Sequence, residues 1–386
     1  MSELKHHDAE PSPDVIFSAN FFILFISLFM GLLSFYALFF VLPTYLVSIG
    51  GKSTSAGIAT GIFTIAAMSF RLVTGKYIDK YGCKKLILSG IGIYAISSFF
   101  YIWASNPLFI YLLRSLQGIG WGVFFVCSFT LASKLTSESR RGEAIGYFTT
   151  ALPVGMALGP VTGDYLYLNH GTTTTFLIIG VISSIPLLSL NFFKEKRVKP
   201  QNPYVTGFIS ASAILPSVIA FIINVAFGAI ITFLPLLSLS RDIINSGIFF
   251  TIYGAVVVLT RPIGGRLVDR YGHRVIVLPS LLCLSFSIAL IAYSSTIQTL
   301  IIAGFLFGIS LSFSFPAIMA MCVNSSQEEE RGRAMATFTF AIDLGVGVGS
   351  MGLGFLLIFT DYTIIYLICS GLVLCGFFLW SALSTK

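Results

Sequence analysis

Twelve long runs of almost uninterrupted apolar residues follow one another along this chain, and they restrict its folding more than any other feature. A helix needs about 20 mainly apolar residues to cross a bilayer. The runs lie at about 18–48, 54–75, 85–104, 107–134, 143–168, 172–193, 210–239, 246–265, 275–295, 297–323, 334–359 and 361–383. They are continuously apolar rather than alternating, which excludes a membrane β-barrel. Only 10% of the 386 residues are charged, against about 25% in a soluble domain, so lipid must be the solvent for most of the surface. The expectation is an all-α membrane protein of twelve transmembrane helices.

The charges between the runs set the orientation. With the N-terminus in the cytoplasm, Lys76, Lys80, Lys84, Lys85, Lys134, Arg140, Arg141, Lys194, Lys196, Arg197, Lys199, Arg266, Arg270, Arg274, Arg331 and Arg333 all fall inside. Only Lys52 and Arg241 fall outside. The positive-inside rule therefore puts both termini in the cytoplasm of a multi-pass protein of the cell membrane. The same bias accounts for the net charge of +7 without a nucleic-acid partner, since no basic stripe interleaves with aromatics. No cleavable signal peptide is expected, because the polar N-terminus precedes a run too long for an h-region. The cysteines show no CxxC or Cys/His spacing, so neither a disulfide framework nor a metal site is expected. Cys83 is read as a loop residue.

The longest polar connector, KEKRVKPQNP at 194–203, sits in the middle of the chain. It divides the sequence into a cytoplasmic tail (1–17), a six-helix bundle (18–193), a cytoplasmic linker (194–209) and a second bundle (210–386). The halves repeat each other. Arg71, Gly75, Asp79, Tyr81 and Gly82 recur as Arg261, Gly265, Asp269, Tyr271 and Gly272, an offset of 190 residues. Gly118, Glu138, Arg141, Gly142, Ala144, Gly155 and Gly159 recur at the same offset as Gly308, Glu328, Arg331, Gly332, Ala334, Gly345 and Gly349. Two such bundles can enclose a cavity near the bilayer midplane and expose it to alternate sides by rocking. A nucleotide-driven pump would need a P-loop, and neither GxxxxGKS nor GxxxxGKT occurs.

The segment GKYIDKYGCKK (Gly75–Lys85) resembles the loop signature of the major facilitator superfamily, and GRLVDRYGHR (Gly265–Arg274) resembles its second copy. The resemblance implies the major facilitator fold, in two pseudo-symmetric bundles. It also implies a cytoplasmic conformational latch built from Gly75, Asp79, Gly82, Arg141, Gly265, Asp269, Gly272 and Arg331. The signature's following Arg is Cys83 here. RSLQGIGWG at Arg114–Gly122 resembles a second signature of the family. ALPVGMALGPVTGDYL at 151–166 is similar to the GP-containing helix of its twelve-helix proton-coupled antiporters, which implies export. There Gly155, Gly159 and Gly163 share one face for close packing, and Pro160 removes a backbone donor.

Charges deep in the runs are where chemistry is expected. Arg114 lies about seven residues into the fourth run and Asp343 about nine into the eleventh, depths at which a charge is costly and usually faces a cavity or partner. A carboxylate with a nearby arginine can take up or release a proton as its surroundings change. Asp343 is the expected proton-coupling group, with Arg114 as a partner across the cavity. Their repeat mates are Pro153 and Gly304, so the fold itself does not require them. Tyr36, Gln117, Trp121, Asn224, Tyr253 and Ser312 are cavity candidates. The resemblance puts the first, fourth, seventh and tenth helices around the cavity.

The function expected is secondary transport by alternating access, with proton-coupled export of a small amphipathic compound. The alternatives are a symporter or uniporter taking up a metabolite such as an organic acid, and more remotely a receptor or sensor that does not transport. Neither HExxH nor GxSxG occurs, so no enzyme is expected. The expected partners are a small-molecule substrate, protons or another cation, and the lipid bilayer. No cofactor is expected, and the chain is expected to be a monomer.

Overall fold

The computed structural model describes residues 18–135, 141–193, 210–326 and 330–383. The tail at 1–17 and the linker at 194–209 lie outside the described residues. Lipid offers the backbone no hydrogen-bond partner, so each apolar run must satisfy its own N–H and C=O groups as a helix. In chain order the helices are α1 (Ala19–Ser48), α2 (Ser53–Tyr81), α3 (Cys83–Phe100), α4 (Pro107–Lys134), α5 (Arg141–Thr149), α6 (Ala151–Ser189), α7 (Ile214–Ser240), α8 (Ile248–Tyr271), α9 (His273–Ala292), α10 (Ile297–Asn324), α11 (Arg331–Gly347), α12 (Leu353–Leu356) and α13 (Tyr362–Leu383). No strand occurs among the described residues.

Among the described residues, ten segments are long and apolar enough to cross a membrane. One of them, Ala144–Asn191, has 48 residues. As a straight helix it would be roughly 70 Å long, more than twice the hydrocarbon thickness. It is divided at Gly171, whose φ of 75° and ψ of 176° are not helical and are open essentially to glycine alone. That division, with the shorter apolar stretch Ile248–Arg261, brings the spans to twelve.

The repeat governs local structure as well as sequence. α4 and α10 are both 28 residues long and start at the same repeat position. Asn106 caps the first, its side chain accepting the Phe109 N–H at 2.9 Å, and Thr296 caps the second in the same way. α2 and α8 both run on through the charged motif to Tyr81 and Tyr271. They stop only at Gly82 (φ 80°, ψ 153°) and Gly272 (φ 79°, ψ 162°). Polar residues end an apolar run without ending a helix, so the expected ends at 75 and 265 were early. For the same reason Cys83 opens α3 and is not a loop residue. Gly82→Ala puts a Cβ into a backbone region that costs about 1–3 kcal/mol to hold. Thermal unfolding of the purified protein should show a clear loss of stability. Gly75→Ala is the control, since a Cβ there meets nothing within 4 Å.

The fifth span of each half is weakened at one repeat position by different means. Pro160 removes a donor inside α6. At the matching place, α11 passes into a π-helical turn (Val348–Gly352) before α12.

α1 packs along α6, α2 along α4, and α3 along α4 and α6. α7 packs along α11, α8 along α10, and α9 along α10 and α13. Small residues make the closest approaches possible: a Cβ on Gly159 would lie 2.6 Å from the Tyr36 Cβ, and one on Gly163 2.7 Å from the Ala37 carbonyl. Across the two sets of six spans, α2 meets α11 and α8 meets α6. Large apolar side chains such as Ile96, Leu112, Leu259, Phe286 and Phe378 stay exposed, as a lipid-facing surface requires.

Candidate functional site

Counting spans from the charged motifs gives the molecule a basic end, where α2 and α8 finish, and a far end, where they begin. At the far end the two sets of helices are joined. Ser53 and Tyr362 share a hydroxyl hydrogen bond of 2.7 Å, and the Thr251 hydroxyl donates to the Ala157 carbonyl at 2.7 Å. The Gly247 N–H donates to Asp164 at 3.3 Å, and the Phe40 and Phe250 rings meet edge to face. Gly57 lies against the Ser350 carbonyl, and a Cβ on Gly254 would be 2.5 Å from the Pro153 carbonyl.

Behind this seal, toward the basic end, lies a cavity of about 360 Å³ between the two sets of helices. Its walls are mostly apolar and aromatic, with Phe125, Met156, Phe227, Val257, Leu311 and Phe315 prominent. Among the described residues three charged ones line it: Arg71 of α2, Arg261 of α8 and Asp343 of α11. Arg71 Nη1 donates to Asp343 Oδ2 at 2.5 Å, an ion pair that bridges the two halves. The Arg71 guanidinium also stands 4.8 Å from the centroid of the Phe125 ring. Arg261 is the repeat mate of Arg71, but the position matching Asp343 is Pro153, so no acid faces it among the described residues.

Of the six residues proposed for the cavity, Tyr36, Asn224, Tyr253 and Ser312 line it. Ser312 accepts a hydrogen bond of 2.8 Å from Thr260, and the Asn224 amide donates to the Ala220 carbonyl of its own helix. Gln117 and Trp121 are buried inside the first six spans instead. Trp121 stacks on Phe35 with ring centroids 4.5 Å apart and also touches Phe125, so it backs the ring that faces Arg71.

Arg114 differs from the expectation too. It is 1% exposed, and Asp343 pairs with Arg71 in its place. Its guanidinium lies 4.3 Å from the centroid of Phe39 and 5.2 Å from that of Phe63. Nη1 donates to Gln117 Oε1 at 3.3 Å, and Gln117 in turn bonds Ser98 and Tyr101. The charge rests on ring faces and amide oxygen, knitting α4 to α1, α2 and α3. Arg114→Ala should therefore cost about 2–5 kcal/mol through the cavity it leaves. Arg114→Met, similar in length, should recover most of that loss in a thermal unfolding assay.

Arg71 and Arg261 are the site residues that sequence reasoning passed over. Both were visible as charges within apolar runs, the signal that drew attention to Arg114, but unlike Arg114 they recur at the repeat offset. Among the expected latch residues, Gly82 and Gly272 form the positive-φ turns described above, and Gly75 lies within α2. The surroundings of Asp79, Arg141, Gly265, Asp269 and Arg331 lie outside the described residues. No group of His, Cys, Asp or Glu suited to a metal occurs among the described residues.

The family model for the Major Facilitator Superfamily matches residues 24–243 and 216–385. An uncharacterized MFS-type transporter of Bacillus subtilis, YuxJ, is 30% identical over 283 residues, 69% of this chain and 71% of that protein. A multi-drug resistance efflux pump PmrA homolog of Lactococcus lactis is 25% identical over 279 residues, 67% of this chain and 69% of that protein. Among solved structures, the nucleoside transporter NupG superposes with a TM-score of 0.76 over 96% of this chain and all of that one, at 17% identity. A POT family transporter superposes with a TM-score of 0.81 over 95% of this chain and 96% of that one, at 14% identity. Identities this low speak for the fold alone. Twelve spans, a doubled charged motif and a cavity between two sets of helices thus agree with the family match, and the chain belongs to the Major Facilitator Superfamily.

Proposed function

We propose that this membrane transporter is a proton-coupled secondary transporter that works by alternating access and exports a small amphipathic compound. The observation that carries the reading is the Arg71–Asp343 ion pair, which spans the two halves in the wall of the cavity. A proton on Asp343 removes one charge of the pair, so the Coulombic part of that bridge is lost. The halves, taken as units at 18–193 and 210–386, can then rock and open the far end. Loss of the proton on the other side restores the pair and resets the cycle. With both termini in the cytoplasm, as the positive-inside rule favours, the cavity faces the cytoplasm in this structure. The Gly82 and Gly272 turns would then sit in the cytoplasmic latch.

Export is supported by a relative named as a multi-drug resistance efflux pump, another named as a multidrug resistance protein, and the GP-containing α6. One observation favours the alternative of uptake by symport. The lining residues carry two arginines and one aspartate. Protonating Asp343 makes the cavity more positive, so a proton and an anionic solute would favour each other and travel together. The test is a thermal-shift screen of amphipathic compounds, followed by flux of a stabilising compound in proteoliposomes under an imposed pH gradient. Movement opposite to the proton supports export, and movement with it supports uptake. Flux indifferent to the gradient sinks proton coupling.

A further inference from the structure

We propose that the cavity takes its substrate as an amphipathic organic anion, and that Arg261 holds the anionic group. This rests on the reading of the chain as a proton-coupled transporter, and by the charge argument above an anionic substrate favours its uptake branch over export.

Arg71 and Arg261 occupy equivalent repeat positions and line the same cavity. Arg71 is neutralised by Asp343 and covered by the Phe125 ring. Arg261 has neither: its side of the repeat offers Pro153 where a carboxylate would stand, and it makes no ion pair among the described residues. An intramembrane guanidinium without a partner is costly, and such charges persist where they face a binding partner or a cavity. An anionic substrate would supply to Arg261 what Asp343 supplies to Arg71.

Hydrogen-bonding capacity points the same way. Ser312 and Asn224 are engaged with Thr260 and Ala220. The hydroxyls of Tyr36 and Tyr253 make no hydrogen bond among the described residues, and each carries a free O–H donor. The cavity therefore presents one uncompensated guanidinium, which can only donate, and two phenols, which can donate as well as accept. The single acidic group in its lining among the described residues is already paired. A cationic solute would meet an unscreened like charge, whereas a carboxylate or sulfonate would meet a fork of donors suited to its geometry. The remaining wall, with Phe227, Val257, Leu311 and Phe315 beside Arg261's helix and its neighbours, suits an aromatic or branched hydrocarbon body.

The test uses two probes of one shape and opposite charge, 2-naphthoate and 2-naphthylmethylammonium, on the purified full-length protein in detergent. Equilibrium binding is measured at neutral pH with no gradient. Naphthoate should bind at least about tenfold more tightly, the scale of one charge-assisted hydrogen-bonded pair. Arg261→Gln should abolish that preference, and Arg261→Lys, which keeps the charge and loses the fork, should retain part of it. Equal binding of the two probes, tighter binding of the ammonium, no binding of naphthoate, or naphthoate affinity unchanged in Arg261→Gln overturns the proposal. Should Arg261→Gln fail to fold, wild-type charge preference and its partial retention in Arg261→Lys still decide the matter. The two readings fail separately. A charge preference that depends on Arg261, in a protein whose proteoliposomes show no proton-driven flux, sinks only the transport coupling. Proton-driven flux of the ammonium sinks only the anion assignment.

Discussion

Asp343→Asn should abolish accumulation driven by a pH gradient while leaving exchange of substrate across the membrane intact. The side chain keeps its shape and can still accept a hydrogen bond from Arg71, but it can no longer gain or lose a proton. The cycle then turns without coupling. In proteoliposomes the expected result is no response of net flux to the imposed gradient, together with counterflow close to that of the wild type. The static cost is modest: replacing a charge-assisted bond by a neutral one at a partly solvated site is worth about 1–3 kcal/mol, so the variant should be recoverable as folded protein. Arg71→Gln probes the other side of the pair. It leaves Asp343 without its cation and should shift the pH dependence of flux instead of erasing it. A gradient-driven flux that survives Asp343→Asn unchanged would remove Asp343 from the coupling step. The expected pairing of Asp343 with Arg114 would have led to the wrong second variant, since Arg114 lies inside the first six spans over Phe39 and Phe63.

The second large effect is conformational. Gly254→Leu should shift the protein out of the conformation described here and open its far end. A Cβ at Gly254 would lie 2.5 Å from the Pro153 carbonyl and 2.6 Å from the Ala157 Cβ, both across the joint between the halves. A leucine there cannot be accommodated while α8 and α6 stay in contact. Overpacking of this kind costs about 1–3 kcal/mol, and each 1.4 kcal/mol is a tenfold change in an equilibrium. The cost falls on the far-end-closed state, because separation of the halves removes the clash. Gly57→Leu makes the same test at the equivalent joint, where α2 meets Ser350 of the π-helical turn and Gly354 of α12. The measurement is maleimide labelling of Ser246→Cys, a buried far-end position, in a background lacking the six native cysteines. Labelling should rise sharply in both variants. Gly371→Leu is the control, since a Cβ there meets nothing within 4 Å. Unchanged labelling with normal flux would mean that the far-end seal is not a moving part.

Much of this architecture is legible in the order of the amino acids. Lipid forces each apolar run to be a helix, so span number follows from run length. The offset of 190 residues reappears in the helix caps Asn106 and Thr296 and in the positive-φ turns at Gly82 and Gly272, because local backbone chemistry repeats wherever the sequence does. The glycines of α6 can be read as a packing face from their spacing alone, although not that α1 is the helix packed there.

What the sequence could not supply was azimuth and partnership. The rise per residue gives a charge its depth, and depth singled out Arg114 and Asp343 but not Arg71. Which way a side chain faces depends on how its helix is rotated against its neighbours, and that is settled by packing over the whole bundle. Arg114 is turned into an aromatic interior of the first six spans, and Arg71 is turned into the cavity. The partners Arg71 and Asp343 are 272 residues apart and come from opposite halves, a distance over which no local pattern carries information. The sequence by itself determined a twelve-helix membrane protein with a doubled motif. Only the tertiary structure decided which charges meet, and among the described residues it left Arg261 in the cavity without an acid of its own.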